Sequence, residues 1–153
     1  MRSLIVAAVA VVLLGSGALA SCSSSSAKTP AVLTGIEWHW TITTTSSPAA
    51  QVEVAEPSHY TLEFHPGDQV SIKADCNTGT GTYTAKGSSM TIRAGAMTAA
   101  QCPPGSQATD FMAKLAAVDS YLLVDGRLAL ELKNDAGELR FANGSIPTTT
   151  LAS

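Results

Sequence analysis

The stretch Tyr60-Thr61-Leu62-Glu63-Phe64-His65-Pro66-Gly67-Asp68-Gln69-Val70-Ser71-Ile72-Lys73-Ala74 decides the fold class. Tyr60, Leu62 and Phe64 fall in one phase, with Thr61, Glu63 and His65 in the other. After Pro66-Gly67-Asp68 the alternation resumes at Val70, Ile72 and Ala74. A half-buried strand requires this period of two, because successive side chains point to opposite faces of a sheet. The period recurs at Trp38, Trp40 and Ile42 and again at Leu128, Leu130 and Leu132. Turn signals stand between the runs. Gly79-Thr80-Gly81 precedes Tyr83, Lys86-Gly87 precedes Met90-Ile92, and Asn134-Asp135-Ala136-Gly137 leads to Glu138-Ala142. Asp125-Gly126, between Tyr121-Val124 and Arg127-Lys133, is a strong two-residue hairpin signal. The expected fold is mainly β (α+β), an antiparallel meander curled into a small barrel-like sheet.

One segment breaks the period. From Ser106 to Val118 the apolar residues fall at Ala108, Phe111, Met112, Leu115 and Val118, a helical spacing. Ser106 is the expected N-cap, and Asp110 lies in the first turn, where the helix dipole favours an acid. This one packed helix should close a side of the sheet. Thr43 to Ser58, rich in Ser, Thr, Ala and Pro, reads as an extended loop with a short strand near Val52-Val54.

The N-terminus gives an address. Arg2, the apolar run Leu4 to Leu14 and the small residues after it make residues 1–21 a signal peptide. The run is shorter than the about 20 apolar residues that span a bilayer. It ends in Leu19-Ala20-Ser21-Cys22, which resembles the lipobox of bacterial lipoproteins. That resemblance implies cleavage before Cys22, a thioether-linked diacylglycerol on its sulfur and an amide-linked acyl chain such as palmitate. Two or more chains meet the condition for stable anchoring. The domain would then lie outside the cytoplasm, tethered to a bacterial membrane. Residues 22–32 form the lipidated cysteine and a Ser-rich tether, 33–143 the folded domain and 144–153 a frayed tail.

Composition narrows the partners. Without Arg2 the mature chain carries eight basic residues against twelve acidic ones, with no basic run. Nucleic acid is therefore not an expected partner, nor is an anionic lipid surface recognised by a polybasic patch. With Cys22 lipidated, Cys76 and Cys102 remain as an even pair in an oxidising compartment, and a disulfide is expected. It would close a loop of about 27 residues and contribute roughly 3.5 kcal/mol in the chain-entropy model.

Other residues invite chemistry and have a plainer account. A nucleophilic Cys76 needs a base, and no histidine is near it in sequence. Asn77 reads as a turn residue. Thr78-Gly79-Thr80-Gly81 leads into a strand rather than a helix and has no Lys-Ser or Lys-Thr behind it, so the glycines read as hairpin geometry and not as a phosphate loop. His39, His59 and His65 lie in the polar phase, with no spacing that resembles a ligand set, and no metal or cofactor is expected. Trp38, Trp40, Tyr60 and Phe64 either fill the interior or line a pocket for a small apolar ligand; small barrels more often fill.

The order of these marks resembles the META domain, the family of the heat-shock-associated HslJ lipoproteins. Leu33, Gly35 and Trp38 match its first strand, and Tyr60-x-Leu62-x-Phe64 its next marked one. Cys76-Asn77 followed by Gly81-x-Tyr83 resembles its CN…GxY signature, and Met97-Thr98 with Cys102 its T…C element. Phe111, Leu115, Val118 and Tyr121 match its helix and following strand, and Leu128-x-Leu130 with Phe141 its closing hairpin. Asp75 departs from the pattern, standing where a glycine or another small residue is expected. The resemblance implies a β-rich, barrel-like domain with one helix, with links to stress response, including tolerance of the antibiotic novobiocin, and in distant members to virulence-linked secretion or motility. It implies no catalytic residue. The expected function is a non-enzymatic, lipid-anchored envelope protein that meets an envelope protein partner. The alternative is a carrier or sensor of a small apolar molecule.

Overall fold

The structure, a computed structural model, describes residues 32–144. The expected signal peptide, the expected lipidation site Cys22, the expected tether up to residue 31 and the expected tail from 145 lie outside the described residues.

Nine antiparallel strands follow one another round a ring, joined by one helix. They are β1 (Glu37–Ser46), β2 (Ala49–Glu53), β3 (Tyr60–His65), β4 (Gln69–Ala74), β5 (Asn77–Lys86) and β6 (Ser89–Met97), then α1 (Ala108–Ala116), β7 (Val118–Val124), β8 (Arg127–Leu132) and β9 (Gly137–Asn143). The meander expectation holds, because each strand from β3 onward pairs with the next. The ring closes where β1 pairs along β9, with Trp40 opposite Phe141. The first part of β1 pairs with β3, and its second part with β2. Its narrowest join is β6 to β7, where Ser89 faces Ser120 and the Tyr121 N–H donates to the Ser88 carbonyl at 2.8 Å.

The alternating positions line the interior. Trp38, Trp40, Tyr60, Leu62, Phe64, Val70, Ile72, Tyr83, Leu128, Leu130, Leu139 and Phe141 are all buried. The phase is not unbroken. In β1 the register slips between Trp40 and Ile42, so Ile42 turns outward and Thr43 is buried instead. A second slip between Val118 and Ser120 lets Val118 and Tyr121 both face inward.

Three expectations need correction. Thr43 to Ser58 is not an extended loop: β1 runs to Ser46 and turns through Pro48 into β2, giving a hairpin whose second strand is exposed throughout. The short strand expected near Val52-Val54 is the end of β2, which begins earlier, at Ala49. The helix starts later than expected, with Gln107 as N-cap, although the Ser106 hydroxyl accepts from the Ala108 N–H at 3.2 Å. Val118 has already left it for β7, placed inward by the slip. Gly79 and Gly81 lie inside β5 and not in a turn.

The antiparallel order gives the ring two distinct ends. At one lie the turns β3–β4 and β7–β8, the end of β9, and the point where the chain enters. There Thr34 bridges Phe64, and the Gly35 N–H donates to the Phe64 carbonyl at 3.0 Å. At the other lie the turn β4–β5, the segment 98–107, α1 and the connection β8–β9. Helix α1 seals this second end. Phe111 stacks on Trp40 with centroids 4.9 Å apart, and meets Tyr60 edge-on at 5.7 Å and Phe141 at 6.3 Å. Truncating Phe111 to Ala would remove the centre of this cluster. A loss of about 3–5 kcal/mol is expected by chemical denaturation, and a loss below about 1 kcal/mol would mean that the helix is not what closes the core.

Candidate functional site

The residues of the CN…GxY and T…C patterns gather at the helix-capped end. β4 ends at Ala74, and a two-residue turn, Asp75-Cys76, brings the chain back into β5, with Ala74 opposite Asn77. Asp75 takes φ 59°, a left-handed value for which glycine is the usual residue. That is the physical content of the departure at this position: aspartate tolerates the conformation better than most residues. Its carboxylate also lies 3.2 Å from His59 Nδ1, and its N–H donates to the His59 carbonyl at 2.7 Å.

Cys76 is bonded to Cys102, with the α-carbons 5.4 Å apart. Asn77 sits between this bond and the segment that follows β6. Its Oδ1 accepts from the Ala100 N–H at 2.7 Å and from the Thr98 hydroxyl at 3.1 Å. Its Nδ2 donates to the Ala100 carbonyl at 3.0 Å and stands 3.4 Å from the Cys102 sulfur. The Thr98 hydroxyl in turn accepts from the Thr78 N–H at 2.9 Å, and the Thr98 N–H donates to the Thr78 carbonyl at 2.9 Å. The amide thus gives Ala100 one acceptor and one donor, as a neighbouring strand would. The reading of Asn77 as a turn residue is corrected: the turn belongs to Asp75-Cys76, and the amide clamps another segment.

The glycines explain the rest of the pattern. Between Gly79, opposite Met97, and Gly81, opposite Ala94, β6 carries one residue more than β5. The bulge presses its backbone onto β5. A β-carbon on Gly81 would run into the Arg93 carbonyl oxygen, and one on Gly79 into that of Ala96. Tyr83, two residues on, is buried; its ring meets Phe64 edge-on at 4.8 Å and its hydroxyl donates to the His65 carbonyl at 3.2 Å.

Trp38, Trp40 and Phe64 are at most 1% exposed. The Trp38 indole N–H donates to the Leu33 carbonyl and that of Trp40 to the Ile42 carbonyl. Tyr60 accepts from the Gln107 N–H at 2.8 Å. The four rings expected either to fill the interior or to line a pocket are therefore packed against core neighbours. A cleft of about 290 Å³ opens beside Tyr60, between His59, Asp75 and the Pro103-Gln107 loop. The histidines stay apart, each with its own carboxylate: His39 with Glu37 at 2.6 Å, His59 with Glu56 and Asp75 at 3.2 Å each, His65 with Glu63 at 3.8 Å. Among the described residues no group of three His, Cys, Asp or Glu could hold a metal ion.

The META domain family model matches residues 31–145, most of the chain. The chain belongs to the META domain family. No curated protein matches it. Two of the solved structures with its fold bear comparison. One is the NMR structure of a protein from Burkholderia xenovorans, 19% identical, covering 75% of this chain and 86% of that one with a TM-score of 0.58. The other is the crystal structure of a DUF4847 family protein from Bacteroides vulgatus, 13% identical, covering 72% and 93% with a TM-score of 0.55.

In this META domain the signature residues do structural work, and two partners were missed from sequence. Gly79 belongs with Gly81, a pairing that alternate glycines inside a strand-like run could have signalled. Ala100 contributes only backbone and leaves no signal. Asn77→Ala should lower stability by about 1–2 kcal/mol, since its bonds are partly exposed, while a thiol assay still finds Cys76 and Cys102 paired. Reducing that bond should cost roughly 3.5 kcal/mol. Equal unfolding midpoints for the oxidised and reduced forms would show that Asn77 alone holds the segment.

Proposed function

We propose that this META-domain protein is a lipid-anchored protein of the bacterial envelope that acts as a non-enzymatic interaction module, in the manner expected of a stress-related scaffold. The observation that carries the reading is the coincidence of the lipobox Leu19-Ala20-Ser21-Cys22 with the polarity of the folded ring. The chain enters at one end, and the disulfide, the Asn77 clamp and the helix cap lie at the other. A tether running from Cys22 would leave the clamped end facing away from the membrane, toward an envelope protein.

The chemistry at that end supports binding over catalysis. The one candidate nucleophile, Cys76, is bonded to Cys102, and the amide beside it is occupied by Ala100 and Thr98. The packing of Trp40 on Phe111 and of Phe64 on Tyr83 favours this reading over a carrier of apolar ligands, because the rings that would hold a ligand hold one another.

Intact mass of the membrane-extracted protein tests the reading. Acyl mass on a chain beginning at Cys22, with Cys76 and Cys102 alkylated only after reduction, is the expected result. A soluble chain without acyl mass would overturn it.

A further inference from the structure

We infer that the β7–β8 hairpin, from Leu122 to Arg127, rests on the lipid surface to which the chain is tethered; this deepens the anchored reading above and rests on it. The hairpin projects past the β5–β6 turn on one side and ends level with the last residues of β9 on the other. Ser89 faces Ser120, and the Tyr121 N–H meets Ser88, so the β5–β6 turn is level with the start of β7, and Leu122 to Val124 run beyond it. About 10 Å of strand lies past that turn. On the other side Leu128 is level with Phe141 and so with Trp40, which puts Asp125-Gly126 at the end where the chain enters.

The projecting part is apolar on its outer face. Leu122 and Val124 are 52% and 51% exposed. Leu122 continues across the sheet into Ala129, Arg140 and Ile42, one row of a groove of about 510 Å³. Val32, also an exposed large apolar residue, stands where the chain enters. Among the described residues the remaining large exposed apolar side chain, Val52, lies on β2, away from this end. Gly126 at the tip has open space around it.

Lipid fits this surface for a geometric reason. Only nine residues lie between Cys22 and Val32, so the domain stays within at most about 35 Å of its anchor. Asp125 and Arg127 offset one another, so contact would come from shallow burial of Leu122 and Val124 and not from attraction to anionic headgroups. Among the described residues Arg127 forms no ion pair, and it can lay its stem on the apolar row with its guanidinium in the headgroup layer. At that depth water and headgroups satisfy the free edge of β7, which the hydrocarbon core would not.

Hydrogen exchange decides it. The lipidated protein in pure phosphatidylcholine vesicles is compared with the unlipidated C22S mature chain in buffer. Amides of residues 121–127 should exchange roughly tenfold more slowly on vesicles, with those of 98–100 unchanged, and L122S/V124S in the lipidated chain should abolish the difference. Both positions are exposed, so the variant keeps its fold. Acyl mass with unchanged exchange overturns the inference and leaves the anchor standing. Slowing that needs added envelope proteins overturns it in favour of a protein partner. A chain without acyl mass removes the anchor, and the inference with it.

Discussion

The contact of Phe111 with Trp40 is the interaction on which the rest of the structure depends. A sheet curled into a ring buries its inner face from the sides but leaves its ends open, and apolar side chains near an open end stay wet. Here the problem is greatest at the end where β1 parts from β3 while staying paired to β9. There Trp40, Tyr60 and Phe141 present rings that their own strands cannot cover. Phe111 comes from α1, enters among them and is fully buried. Its stacked and edge-on geometries are those in which aromatic quadrupoles attract. The small number of aromatic residues in the chain makes this concentration more telling, since much of the large-side-chain volume of the core meets at one point.

That arrangement requires α1 to be delivered to the right place, and the Cys76–Asn77 clamp does it. Between β6 and α1 the chain has no regular structure for residues 98–107. Left free, such a segment would give the helix many positions to sample. The disulfide fixes its distance from the β4–β5 turn, and the Asn77 amide fixes its orientation through both backbone groups of Ala100. The Gln107 N–H then reaches the Tyr60 hydroxyl just before the helix begins. The bulge opposite Gly79 and Gly81 belongs to the same device. The extra residue in β6 bends the strand toward β5, and only glycine leaves room for that approach. The family signature is thus one mechanical unit, distributed over the sequence but assembled at one corner.

Much of this was legible in the residues, and the exceptions have physical causes. Strands with a buried face, such as Tyr60–His65 and Arg127–Leu132, announce themselves by alternation, and Asp125-Gly126 supplies the positive φ values that its turn demands. Strand β2 buries nothing and has no phase to display, so only its Val52 end was expected and its start at Ala49 was not. The bulges in β1 and β7 break the period where it would have marked Thr43 as inward and Val118 as part of a strand. The pairing of Cys76 with Cys102 follows from their number and the expected compartment, whereas Asn77 was misread. An asparagine beside a turn looks local, and the partner it holds, a backbone amide more than twenty residues away, has no side-chain signature.

The polarity of the ring is the feature that links the fold to a role. Antiparallel order alone sends successive turns to alternate ends, so every such ring has two ends; it does not make them different. In this chain they differ in kind. One end is fixed by a covalent bond, an amide clamp and a helix, while the other carries short turns and a hairpin that runs past its neighbour. A domain fixed in this way can transmit orientation, because the structured end cannot shift relative to the point at which the chain enters without breaking the sheet between them. An interaction module held at a surface needs that property: its binding end must keep a defined direction although its tether does not supply one. A hairpin resting on lipid beside the tether would supply the second point of contact that turns attachment into orientation.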